Sequence, residues 1–130
     1  KNEIILAVKI INALANLRDT NSISVIKRAW REFGTLGLRI YYYIALGKLG
    51  EYRGIDTMVS RLKENYPPGN VEEEIYIRMN IIEVLGEYLK NNLDQGIKEL
   101  IEYLVEEGEY PQIQNAAKKA LSSLAKAENN

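Results

Sequence analysis

The pattern that decides the fold is clearest in residues 38–62, which read LRIYYYIALGKLG followed by EYRGIDTMVSRL. Apolar residues recur at helical spacing in both halves. We interpret the stretch as two short helices joined by a tight turn, with Gly50 ending the first helix. The same pattern recurs before and after it, which predicts a small array of helical repeats.

Seven helices and no strand are predicted, over residues 2–17, 22–33, 38–49, 52–65, 71–90, 93–107 and 111–126. The segment 66–69, YPPG, is the strongest break, because two prolines cannot continue a helix. Asn70 is expected to cap the fifth helix, with the run 72–74 supplying an acidic first turn. The residues of helix 1 expected to face the core are Leu6, Ile10, Ala13, Leu14 and Leu17.

The odd-numbered helices align on the triplets 13–15, 45–47, 84–86 and 120–122. A small residue ends each triplet (Ala15, Gly47, Gly86, Ser122), and small residues there let a neighbouring helix approach closely. In this alignment Tyr42 occupies the same column, that is, the same repeat position, as Ile10, Ile81 and Ala117, so we expect its ring in the core. Trp30 is expected in the core too, or half exposed at the N-terminal edge. The predicted repeats are 2–34, 35–66, 70–108 and a half-repeat, 111–127, in one domain, 1–130.

This pattern resembles the HEAT-repeat family, particularly the short HEAT-like repeats of phycobilisome lyases. Leu38-Arg39 and Ile77-Arg78 match the family's Val-Arg pair, and residues 45–50 match its Ala-Leu-Gly-x-Leu-Gly centre. Glu74 stands where the family usually has Asp, four residues before the Arg. The resemblance implies an all-α, right-handed αα-superhelix, or HEAT-like α-solenoid, of about seven helices. It is nearly silent on function, because the family serves many purposes.

The composition excludes several kinds of site. Cysteine and histidine are both absent, so disulfides, thiolate chemistry and Ser-His-Asp or Cys-His catalysis are impossible within the chain, while a metal site of carboxylates alone stays conceivable. The resemblance touches bilin lyases and deoxyhypusine hydroxylases, and the hydroxylases need His-Glu metal ligands. We therefore expect no enzymatic activity and no cofactor.

The apolar runs are short of the ~20 residues that span a bilayer, and no signal peptide or lipidation motif is visible. We expect no membrane contact and a cytoplasmic location. The chain begins at Lys1 without a methionine, which leaves open a longer parent protein and a lost targeting segment.

Charge is distributed unevenly along the chain. Residues 1–66 hold 11 Lys and Arg against 6 Asp and Glu, whereas residues 67–130 hold 6 against 12. In HEAT-like arrays the second helix of each pair lines the concave face, which implies a groove that changes from basic to acidic. The candidate binding residues are Lys27, Arg28, Arg31, Thr57, Ser60, Arg61, Glu99, Glu102, Tyr103 and Glu106.

Our hypothesis is a protein-interaction scaffold whose concave groove binds a peptide or protein of complementary charge. The competing interpretation, that these residues are solvated helix faces, is weighed equally. A nucleic-acid-binding module using the basic half is less favoured, because the pI is about 5.6 and the acidic half would repel phosphates. A self-assembling array is the third alternative, since oppositely charged halves favour head-to-tail contacts.

Overall fold

The computed structural model describes residues 2–33 and 36–129, and the side chains of residues 6, 8–31 and 37–129. Over these residues the chain is all-α, with seven α-helices, one short 3-10 helix and no strand, as the sequence predicts. The helices are α1 Asn2–Asn16, α2 Ser22–Phe33, α3 Arg39–Lys48, α4 Ile55–Lys63, α5 Val71–Leu89, α6 Gln95–Glu107 and α7 Pro111–Glu128. No described helix is long and apolar enough to cross a membrane.

The chain forms two compact units, Lys1–Met58 and Val59–Asn130. In the first unit the core consists of Ile11, Ala15, Ile26, Tyr42, Ala45, Leu46 and Leu49. Trp30 lies half-buried against this core, and its ring stacks on that of Tyr42 with centroids 4.7 Å apart. Tyr42 itself is 4% exposed, which confirms that it is a core residue.

Helix α1 turns a different face to the core than the sequence predicted. Ile11 and Ala15 are the buried residues, whereas four of the five expected core residues are exposed and only Leu14 packs against the core. The exposed four are Leu6, Ile10, Ala13 and Leu17. The prediction failed because the apolar residues of α1, NEIILAVKIINALAN, spread over more than half of the helix circumference, with Lys9, Asn12 and Asn16 on the remaining side. Periodicity then offers two equivalent stripes, and only contacts with other helices select one.

The turn between α3 and α4 depends on two glycines. Gly50 has a φ of +91°, a left-handed conformation that L side chains rarely adopt, and it ends the turn after α3 as expected. Gly54 precedes α4, and a Cβ built there would overlap the side chain of Tyr43. Because residues 51–54 are taken up by this turn, α4 begins at Ile55 instead of residue 52.

In the second unit, α7 packs against both α5 and α6. Asn70 caps α5 by accepting from the Glu73 amide at 3.1 Å, as predicted, and Asp94 caps α6 by accepting from the Ile97 amide at 3.0 Å. A Cβ at Gly86 would lie 2.9 Å from the Cβ of Ala120, so the small residue predicted at this position does permit close helix approach. The fully buried residues Ile81, Ile82, Leu85 and Ile101 form the centre of this core.

Candidate functional site

The outer face of α6 carries four predicted binding residues. Glu99, Glu102, Tyr103 and Glu106 are all exposed, and their i, i+3, i+4, i+7 spacing places them on one side of the helix. The opposite side of α6 is buried through Ile97, Ile101 and Leu104. We call these four exposed residues the acidic ridge.

Tyr103 is the most unusual member of the acidic ridge. Its side chain is 60% exposed, although its ring is large and mostly apolar. Glu99 and Glu102 lie one turn before it and beside it, and Glu99 also accepts a hydrogen bond from Gln95 at 3.3 Å. An exposed aromatic ring among carboxylates combines a negative potential with a π face, both of which attract cations.

A pocket of about 300 Å³ lies next to the acidic ridge. Leu62, Leu100, Leu104 and Ile113 supply its apolar lining, Tyr66 and Tyr103 its aromatic lining. Its charged lining consists of Lys63, Glu64, Arg78, Glu107 and Glu109. This pocket was not predicted, because its residues come from α4, α5, α6, α7 and the segments after α4 and α6.

Arg61 of α4 was predicted to line the groove, and the structure holds it in an internal ion pair. Its Nε and Nη2 donate to the two carboxylate oxygens of Glu74 at 2.9 and 2.7 Å. Arg78 Nε donates to the same carboxylate at 2.8 Å. Arg61 is 30% exposed, whereas Glu74 and Arg78 are each 3% exposed. Arg61 therefore stabilises the interior of the second unit, because its guanidinium is already paired with a buried carboxylate.

Arg78 also fixes the segment that follows α4. Its Nη1 donates to the Glu64 carbonyl at 3.0 Å and its Nη2 to the Asn65 carbonyl at 3.3 Å. The guanidinium lies 3.9 Å from the centre of the Tyr66 ring, a cation–π contact, and Tyr66 meets Tyr110 edge to face at 4.9 Å. One buried arginine thus positions the pocket wall next to the acidic ridge.

The buried carboxyl and the pocket tyrosine both have shifted pKa values. Burial alone would raise the pKa of Glu74, but the hydrogen bonds and charges of Arg61 and Arg78 outweigh it and hold this pKa below its ordinary value. Burial raises the pKa of the Tyr66 hydroxyl; the Arg78 charge opposes that rise and the Glu109 charge adds to it. Glu74 is therefore ionised, and Tyr66 neutral, at neutral pH.

The predicted basic residues lie on α2 in the first unit. Arg28 and Arg31 are exposed, whereas Lys27 is half-buried and forms an ion pair with Glu51, Nζ to Oε1, at 3.0 Å. Arg53 Nη2 contacts the same Glu51 oxygen at 2.7 Å. The positive charge of Lys27 is therefore partly neutralised, and Arg28 and Arg31 are the exposed cations of this helix.

The remaining two candidates, Thr57 and Ser60, are exposed on α4. Thr57 belongs to the first compact unit and Ser60 to the second. Within the described parts of the chain, no three carboxylate, histidine or cysteine side chains are grouped so that they could hold a metal ion.

Glu74 and Arg78 were noted in the sequence as part of the repeat pattern, but their burial as an ion pair was not predicted. The run 72–74 was interpreted as an acidic first turn of α5, and all three carboxylates do lie in that turn; Glu72 and Glu73 are exposed, whereas Glu74 is buried. A usable signal was present, since Glu74 and Arg78 are one turn apart and follow two prolines that force the chain to turn back.

Comparisons of the chain with protein-family models, with curated protein sequences and with solved structures gave no match.

Proposed function

We propose that this chain is a non-catalytic protein-interaction scaffold, and that its acidic ridge on α6 binds a basic segment of a partner protein. The observation that carries the proposal is Tyr103, 60% exposed on one helix face with Glu99, Glu102 and Glu106. Exposed tyrosine is favoured at protein interfaces because it offers a large contact area at a low cost in side-chain entropy. The surrounding carboxylates select for lysine and arginine.

Helix α6, which carries the acidic ridge, is held in place by a cap and by packing. This favours a binding surface over a solvated helix face. Asp94 caps α6, and the buried side of the helix packs into the second core. A helix held in this way presents its outer side chains at fixed spacing before a partner arrives. Less conformational entropy is then lost on binding.

The neighbouring pocket suits the side chain of an arginine or lysine from the same partner. Leu100 and Leu104 would contact the aliphatic stem, while Glu107 and Glu109 would attract the charged end. Lys63 and Arg78 line the same pocket, and their positive charges would oppose a cation placed next to them. Tyr103 lines the pocket as well as belonging to the ridge, so one partner segment would contact both.

The chemistry of the side chains argues for binding instead of catalysis. The sequence contains no histidine and no cysteine, so the common nucleophile–base pairs are not available. The shifted pKa of Glu74 is explained by its two arginine partners. That carboxylate is buried, so it is not available to a substrate.

We propose the HEAT-like αα-superhelix as the architecture of the array, on the strength of the repeated triplets and the Leu-Arg and Ile-Arg pairs. Within that proposal, Arg28 and Arg31 of α2 and Thr57 and Ser60 of α4 are candidates for additional partner contacts. Lys27 and Arg61 are weaker candidates, because each already pairs with a carboxylate of this chain.

A selection from a random peptide library displayed on phage tests the proposed function without a known partner. Peptides retained by the protein should be enriched in lysine and arginine, and should elute as salt is raised, because exposed ion pairs are screened. Retention of acidic or purely apolar peptides instead would contradict the proposal. Retention of nucleic acid with an equally steep salt dependence would favour the alternative class.

A further inference from the structure

Helix α1 leaves an apolar stripe uncovered. Leu6 is 58% exposed, Ile10 46% and Leu17 71%, and Ala13 lies among them. With 100° per residue these positions fall within about 60° of one another around the helix. A continuous apolar face of this kind is unusual on a surface without a partner.

A second apolar surface lies between α5 and α7. It is a groove of about 380 Å³ whose lining includes the small residues Gly86, Ala116 and Ala120. Met79, 36% exposed, lies at its edge. The groove exists because Gly86 and Ala120 let the two helices approach closely, which leaves a shallow depression above their small side chains.

Charge distinguishes the two surfaces. The unit that carries the stripe, residues 1–58, holds 9 Lys and Arg against 5 Asp and Glu, and Lys9 is exposed next to Ile10. The unit that carries the groove, residues 59–130, holds 8 against 13, and Glu83 and Glu87 line the groove. Glu87 also pairs with Lys90 at 3.2 Å, and Lys119 of α7 lines the groove as well.

We propose that the α1 stripe of one copy docks into the α5–α7 groove of a second copy. The leucine and isoleucine side chains of the stripe would cover the small residues of the groove, with the basic unit facing the acidic one. Stripe against stripe would bring two basic units together, which the charges disfavour. A contact between two different surfaces joins copies head to tail, into a ring or an open filament.

Two variants that each remove one surface test this arrangement. Ile10→Glu destroys the stripe and keeps the groove, while Met79→Glu destroys the groove edge and keeps the stripe. Val25→Glu (48% exposed, α2) and Tyr76→Glu (47% exposed, α5) are matched controls at similar exposure outside both surfaces. Molar mass is measured by light scattering after size exclusion, over a range of concentrations.

The expected results are specific to a head-to-tail contact. The wild-type protein and both controls increase in mass with concentration, and each surface variant stays monomeric. An equimolar mixture of Ile10→Glu and Met79→Glu gives twice the monomer mass and no more, because only one intact stripe and one intact groove meet. This mixture also shows that both variants are folded.

Three results would overturn the proposal. The first is a wild-type chain that stays monomeric at every concentration. The second is a Met79→Glu variant that still associates, which would indicate a stripe-to-stripe contact. The third is a mixture that stays monomeric although both variants have the wild-type helical circular dichroism. If Ile10→Glu lacks that signal, Leu17→Glu, in the more exposed part of the stripe, replaces it.

Discussion

Arg78 Nε donates to the Glu74 carboxylate at 2.8 Å, one helical turn apart on α5, and both side chains are only 3% exposed. A pair of full charges in a protein core is stable only where every remaining donor and acceptor is satisfied. Arg61 completes the carboxylate, and the carbonyls of Glu64 and Asn65 complete the guanidinium. This cluster holds the end of α4 against α5 and so shapes the pocket beside the acidic ridge.

Glu74→Ala should destabilise the protein strongly. The substitution leaves Arg78 buried without its counter-charge, and breaking such a pair costs about 3–5 kcal/mol. Glu72→Ala, two residues earlier on the exposed side of the same helix, is the matched control and should cost less than about 1 kcal/mol. The free energy of unfolding is measured by urea denaturation. Equal effects of the two substitutions on the free energy of unfolding would show that the Glu74–Arg78 pair does not stabilise the fold.

Stability should fall in acid because of Glu74. Its pKa is lowered in the folded state, so its contribution is fully present above the unfolded pKa of about 4.3. That contribution is lost as the pH falls below this value toward the folded pKa. The free energy of unfolding of Glu74→Gln should therefore change less across this range than that of the wild type. Glu72→Gln serves as the control, and a Glu74→Gln slope as steep as its slope would contradict the assignment.

Gly86 and Ala120 should be energetically coupled. A Cβ at Gly86 would lie 2.9 Å from that of Ala120, so Gly86→Ala should cost about 1–3 kcal/mol through overpacking, less about 1 kcal/mol gained in helix propensity. Adding Ala120→Gly restores the space. A double-mutant cycle should give a coupling energy above about 0.5 kcal/mol. Simple additivity of the two changes would mean that the helices adjust to the extra methyl group.

The sequence was most informative where local rules act alone. Gly50 after α3 and the Asn70 cap both occur as expected, because each depends on a few neighbouring backbone atoms. The Tyr42 ring was placed correctly because its column in the repeats is otherwise aliphatic. These features do not depend on which helix packs against which.

Sequence reasoning failed where tertiary contacts decide. The core face of α1 was assigned wrongly, because the exposed Ile10 and the buried Ile11 are equally apolar. The burial of Glu74 was not predicted, because it depends on Arg61, which is 13 positions away. The exposure of the acidic ridge followed from helical spacing, whereas the pocket beside it required the packed positions of α4, α5, α6 and α7.

The central proposal is that the acidic ridge binds a basic segment, and the affinity of one selected basic peptide tests it most directly. The double variant Glu99→Gln/Tyr103→Ala removes a carboxylate and the ring one turn apart on α6. Glu72→Gln/Tyr76→Ala removes the same two groups at the same spacing on α5, where both are exposed. Binding is measured by isothermal titration calorimetry at low salt.

We predict that the α6 double variant weakens binding about five- to thirtyfold, because a lost cation–π contact and a lost ion pair together amount to roughly 1–2 kcal/mol. The α5 double variant should bind the peptide with the wild-type affinity. Equal affinities for the wild type and the α6 variant would contradict the proposed function. So would an equal loss of affinity in both variants.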